Sequence, residues 1–293
     1  MAKFDNKQFD TPKLQEAMQS YLKGNYETAY NMFCELAGKN NGRAMYFLGK
    51  FFYGIEGVNV VEPSGEISKA WYKLGASKGD ALATLANIEG FHDIQHYVEL
   101  GDGTTDGFKD SLEAVVSMAA EGDVFAKMEL FYTYRDFMRY YVDEKEAFSW
   151  LREAAESGNP DAMFELGSCY DRGWAVKSNK EGAFHVENDF EKACYWYQKA
   201  AESNNSRAML YLGELYSEGR GVQQSHSEAF KWYMKAAECG DPEAMLNLGI
   251  AYEEGLDVER NYGEAFKWYQ KASEPEYCKS EAETKIEELL NKF

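Results

Sequence analysis

The stretch AFKWYMKAAECGDPEAMLNLGIAYEEG, Ala229–Gly255, decides the fold, because the chain writes it more than once. Upstream stands ACYWYQKAAESNNSRAMLYLGELYSEG, Ala193–Gly219, and downstream the text restarts as AFKWYQKAS, Ala265–Ser273. Two anchors recur. Ala-Met-x-x-Leu-Gly occurs at Ala44–Gly49, Ala162–Gly167, Ala208–Gly213 and Ala244–Gly249, with a weaker copy from Ala126 and another from Ala81 or Ala83. A Trp three residues after a small residue occurs at Ser68/Trp71, Ala147/Trp150, Ala193/Trp196, Ala229/Trp232 and Ala265/Trp268.

The anchors Ala126, Ala162, Ala208 and Ala244 are spaced by about 36 residues, a helical-solenoid period. The step from Ala162 to Ala208 is longer by about ten, and the surplus lies in KSNKEGAFHVENDF, between anchors, as an inserted loop does. Within each copy Ala208, Leu212 and Tyr216 follow helical spacing, and Phe230, Tyr233 and Ala237 line the face of a second helix stopped at Gly240. Gly49, Gly167, Gly213 and Gly249 sit inside the first helix, where each costs about 1 kcal/mol relative to alanine. A cost repeated at one slot implies close helix approach, with Trp232 and Tyr233 filling volume elsewhere in the pair. A single pair cannot bury both of its apolar faces, so the pairs stack. The sequence therefore predicts an all-α fold, a right-handed α-α superhelix (solenoid) of about six to seven helix pairs.

These residues resemble the Sel-one-like repeat (SLR) family, relatives of the tetratricopeptide repeats; AMLYLGELYSEGRGV and KACYWYQKAAE carry the resemblance. It covers roughly 44–273, with irregular repeats at 87–116 and the loop insertion near 177–190. Residues 1–43 read as a tetratricopeptide-like helix pair, and 274–293 as a capping helix with Ile286, Leu289, Leu290 and Phe293 at helical spacing. The resemblance implies a non-enzymatic adaptor or scaffold, bacterial and cytoplasmic, that holds another protein or peptide in a concave groove lined by the first helix of each pair.

Slots that vary between copies form one stripe on that helix, away from the Ala-Leu-Tyr core. They hold Phe125, Glu129, Tyr132 and Asp136; Asp161, Glu165, Ser168 and Arg172; Arg207, Tyr211, Glu214 and Glu218; and Glu243, Asn247, Ile250 and Glu254. Aromatic rings among carboxylates suit a peptide carrying Lys or Arg; a merely solvated helix face looks equally variable and charged.

Acidic residues outnumber basic ones 50 to 31, a formal charge of −19. That balance argues against nucleic acid and against anionic membrane surfaces; a basic protein or peptide is the natural counter-surface, and a charge that only maintains solubility is the alternative. An alternative within the binding class is an immunity-type protein that masks a basic toxin or effector. No apolar run is long enough to span a bilayer, and the cysteines Cys34, Cys169, Cys194, Cys239 and Cys278 form no CxxC pair, as expected of reduced thiols.

Asp102, Thr104, Asp106, Asp110 and Glu113 take calcium-loop spacing around Gly107, but Lys109 stands where an apolar residue belongs. His92 and His96 are spaced like two zinc ligands, with Glu99 near but no third ligand in a matching pattern. A metal-dependent activity at 92–113 is the rival from the enzyme class; the expectation is no metal, no cofactor and no catalytic residue.

Overall fold

The structure, a computed structural model, describes residues 6–54, 60–61, 63–87, 106–135, 144–175, 185–274 and 276–292. The described residues are almost wholly helical. After a 3-10 turn at Asn6–Phe9 come α1 (Pro12–Leu22), α2 (Tyr26–Gly38), α3 (Gly42–Gly54), α4 (Gly65–Ser77), α5 (Ala81–Ala86), α6 (Asp106–Ala120), α7 (Val124–Thr133), α8 (Glu144–Glu156) and α9 (Pro160–Arg172). Then follow α10 (Phe190–Glu202), α11 (Ser206–Glu218), α12 (His226–Glu238), α13 (Pro242–Glu254), α14 (Tyr262–Ala272) and α15 (Glu276–Leu290). The insertion between α9 and α10 contributes two antiparallel strands, β1 (Trp174–Ala175) and β2 (His185–Val186), with Trp174 opposite Val186. The chain forms two compact units. One holds α1–α8 and the start of α9; the other holds the end of α9 and α10–α15. Helices adjacent in sequence pack together within each: α1 on α2, α3 on α4, α11 on α12, α13 on α14.

From α3 onward each first helix starts on the same device. Asn41, Asp80, Asp123, Asn159, Asn205 and Asp241 accept a hydrogen bond from the backbone N–H of Ala44, Ala83, Ala126, Ala162, Ala208 and Ala244, at 2.8–3.0 Å. A short polar side chain here satisfies a donor that the helix cannot satisfy internally. Because Asp80 caps Ala83, the register left open between Ala81 and Ala83 is settled at Ala83. We expect Asn205→Ala, which removes one cap at a buried position, to lower stability by about 1 kcal/mol in urea denaturation.

Four of the second helices are tied back to their partners. The backbone N–H groups of Ser64, Asp189, Ser225 and Asn261, which cap α4, α10, α12 and α14, donate to Phe52, Tyr170, Tyr216 and Tyr252 carbonyls, each at 2.8 Å.

The helical glycines meet their reason in a tyrosine. A Cβ on Gly49, Gly167, Gly213 or Gly249 would lie 2.3–2.6 Å from the ring of Tyr72, Tyr197, Tyr233 or Tyr269. The Tyr of each Trp-Tyr pair therefore lies on the glycine rather than filling space elsewhere. The Trp is the outer member: Trp71, Trp150, Trp196, Trp232 and Trp268 are only half-buried, whereas the four tyrosines are buried. Lys235 and Lys271 cover the Trp232 and Trp268 rings at 3.9 and 4.2 Å. These Trp residues are thus partly wetted cover, not full core.

At the end, α15 packs on α13 and α14. Leu289 and Ala282 are fully buried there beside Tyr269, Ile286 is partly buried, and Leu290 is exposed. Phe293 lies outside the described residues.

Candidate functional site

The variable stripe has a different environment in the two units. In the first unit its members meet one another. Phe125, on α7, is 2% exposed and packs edge-on against Phe47 of α3 at 4.7 Å and Tyr21 of α1 at 5.7 Å. Glu129 is also buried and accepts hydrogen bonds from the Tyr46 hydroxyl and, at 3.4 Å, from Lys50 Nζ. The same Lys50 lies 5.4 Å from the Tyr132 ring. Asp161, opening α9, accepts from the Tyr21 hydroxyl at 3.1 Å, and Glu165 pairs with Arg135 at 3.2 Å. Phe125 and Glu129 therefore belong to the core of this unit and not to an open face; residues far apart in sequence curl close enough for the facing side chains to fill the space between them. Asp136 lies outside the described residues.

Electrostatics follow from that closure. Tyr21, Tyr46 and Tyr132 are held well above the usual phenol range, by burial first and then by the carboxylates of Asp161, Glu129 and Glu165 respectively. The α3 counterparts of the stripe are Arg43, Phe47 and Lys50, which the sequence reading omitted. Counting slots from Ala44 finds them, although their aromatic and basic character hides the likeness.

In the second unit the stripe is less completely matched. Arg172 donates to the Tyr211 hydroxyl at 2.5 Å and lies 5.3 Å from its ring, which stacks on Tyr197 at 5.6 Å. Arg220, from the turn after α11, donates to Asp171 at 2.7 Å and to Glu218 at 2.5 Å. Glu214 stands between these groups, half-buried, and its carboxyl is pushed up to about 7 by burial and then by Glu218 and Glu243. Among the described residues no hydrogen bond or ion pair reaches the carboxylates of Glu214, Glu243 or Glu254. Ser168, Arg207, Asn247 and Ile250 are half-buried; Glu218, Glu243, Glu254 and Arg172 are exposed. Structure thus brings Ser168–Arg172, Arg207–Glu218 and Glu243–Glu254 into one unit with rings, partly covered carboxylates and reachable solvent.

His92, His96, Glu99, Asp102 and Thr104 lie outside the described residues. From Asp106 onward the chain is already helix α6, so Gly107 does not make the sharp turn that a calcium loop requires. No group of three or more His, Cys, Asp or Glu fit to hold a metal occurs among the described residues. No described helix is long and apolar enough to cross a membrane.

The sequence matches the profile described as Sel1 repeat at residues 42–80, 131–159, 160–185, 181–205, 206–241 and 242–274. No curated protein matches it significantly. Among solved structures, a Sel1 repeat protein from Oxalobacter formigenes is 27% identical, aligned over 88% of this chain and 98% of its own, with a TM-score of 0.52. The protective antigen c5321 of uropathogenic Escherichia coli, which displays an SLR fold, is 22% identical with a TM-score of 0.54. The alignment takes in 96% of this chain but only 57% of the antigen. Immunity protein PA5088 of Pseudomonas aeruginosa superimposes at a TM-score of 0.37 with 18% identity, too loosely to bear on function.

Proposed function

Because the chain belongs to the Sel1-repeat family, we propose that it is a non-enzymatic scaffold that holds a protein or peptide bearing Lys or Arg on the stripe of its second unit. One contrast carries this reading. Stripe residues of the first unit are engaged with Tyr21, Phe47, Tyr46, Lys50 and Arg135, whereas no hydrogen bond or ion pair ties Glu214, Glu243 or Glu254 of the second to a cation among the described residues. The half-buried Glu214 and the exposed Glu243 and Glu254, on the stripe with Tyr211 and Ile250, offer a basic, partly apolar segment both charge and contact area. The masking of a basic toxin has no contact of its own in its favour, and the scaffold reading is preferred.

The test is capture from native lysate on immobilised protein, compared with Tyr211→Ala/Glu214→Lys. We expect the double variant to lose at least tenfold in capture of the recovered partner with its helicity unchanged, since it removes a stacking ring and inverts a charge. Lys231→Glu, on an exposed position of α12, should leave capture unaltered. Equal loss in both variants, or in neither, would refute the assignment of the stripe.

A further inference from the structure

We propose that Glu214 makes the second-unit stripe a proton-coupled clamp: it holds a proton while the stripe is empty and releases it when a cationic side chain docks. The inference rests on the scaffold reading and concerns the regulation of that same surface.

The geometry is a shortage of positive charge. Asp171, from α9, and Glu218, one turn on from Glu214, divide the Arg220 guanidinium between them, at 2.7 and 2.5 Å. Arg172 is turned onto Tyr211. Across from α11, α13 contributes Glu243 and α12 contributes Tyr233, whose phenol is itself raised by burial and by Glu214. The groups facing Glu214 are therefore Glu218, Asp171, Glu243, Tyr233 and Arg220, and the lone cation among them is hydrogen-bonded to two other carboxylates. Glu214 is also half-buried and, among the described residues, receives no hydrogen bond that would favour its charged form. Desolvation and like charge both oppose ionisation, and the shared Arg220 guanidinium offsets them only in part.

Docking supplies what is missing. The neutral carboxyl loses its proton to solvent, and the carboxylate pairs with the incoming guanidinium or ammonium, so nearly one proton leaves for each cation seated below about pH 6 and about half a proton at pH 7. Between about pH 5.5 and pH 8 the free carboxyl passes from mostly protonated to mostly ionised, and affinity should rise about thirtyfold over that range.

The free protein has its own signature. A carboxyl raised in the fold and ordinary in the unfolded chain stabilises the fold below about pH 4.5, and that contribution is lost as pH climbs through about 7. Glu214→Gln, which keeps the shape and cannot ionise, should hold its melting temperature as pH rises from 5 to 8 while the wild type falls behind.

Two measurements on the whole chain test the proposal. Carbon-detected NMR of the Glu214 carboxyl, assigned by comparison with Glu214→Gln, should show a midpoint near 7. Calorimetric titration with a hexa-arginine peptide should show affinity rising with pH in the wild type and flat in Glu214→Gln. An ordinary midpoint with binding intact would overturn the proton coupling and leave the scaffold reading standing. A raised midpoint with pH-independent binding would also overturn it. A raised midpoint without binding at any pH would refute the docking of basic segments along with the clamp.

Discussion

Gly249→Val should destabilise the second unit by about 3 kcal/mol, the upper range for forcing extra atoms into a packed core. A Cβ there would stand 2.3 Å from Cε1 of Tyr269. That ring cannot swing away cheaply, because Tyr269 is 0% exposed and its hydroxyl donates to Glu253 at 2.6 Å. Urea unfolding followed by tryptophan fluorescence measures the loss. In a Tyr269→Leu background the added cost of Gly249→Ala should shrink by about 1 kcal/mol or more, since the obstructing ring is gone. Gly38→Ala is the control: nothing lies within 4 Å of the new methyl, and the change should be neutral or slightly stabilising. Equal costs at Gly38 and Gly249 would show that the glycine slot has nothing to do with the tyrosine.

Arg43→Met should cost a similar amount, about 3–4 kcal/mol, in the first unit. Arg43 is buried, and its Nε reaches Asp80 at 2.7 Å while Nη1 reaches Asp123 at 3.2 Å. Each of these carboxylates divides its oxygens between two tasks. One oxygen caps a helix, at Ala83 or Ala126, and the other accepts from Arg43. Removing the guanidinium leaves Asp80, 0% exposed, with buried negative charge and its capping bond from Ala83 to stabilise it. Hydrogen exchange should show lost protection in α5 and α7 with α13 and α14 unaffected; uniform loss across both units, or none, would contradict this account.

The glycine slot and the arginine differ in how much of them could be read in advance. Gly49, Gly167, Gly213 and Gly249 stand out by recurrence, and recurrence announces a tertiary cause. It does not say which side chain supplies the cause, because Trp and Tyr are adjacent and both are large. Helix rotation decides: the tyrosine points at the partner helix, and the tryptophan emerges at the rim under a lysine. Arg43 gives no sign of its role, since its two partners lie in later repeats and look like ordinary caps. The stripe shows the same division. Comparing copies identifies the slots, but Phe125 and Glu129 are buried only because α1 and α3 come back against α7, a matter of curvature that no slot comparison contains.

By itself the sequence determined the repeat unit, its helical period and the family, because each depends on short-range spacing that the copies restate. Tertiary structure alone decided which tyrosine meets which glycine, which carboxylates share a cation, and which part of one uniform stripe is spent inside the protein. The physical reason is distance. Spacing along a helix fixes which side chains share a face, while the approach of helices from separate repeats fixes whether that face meets water or another side chain.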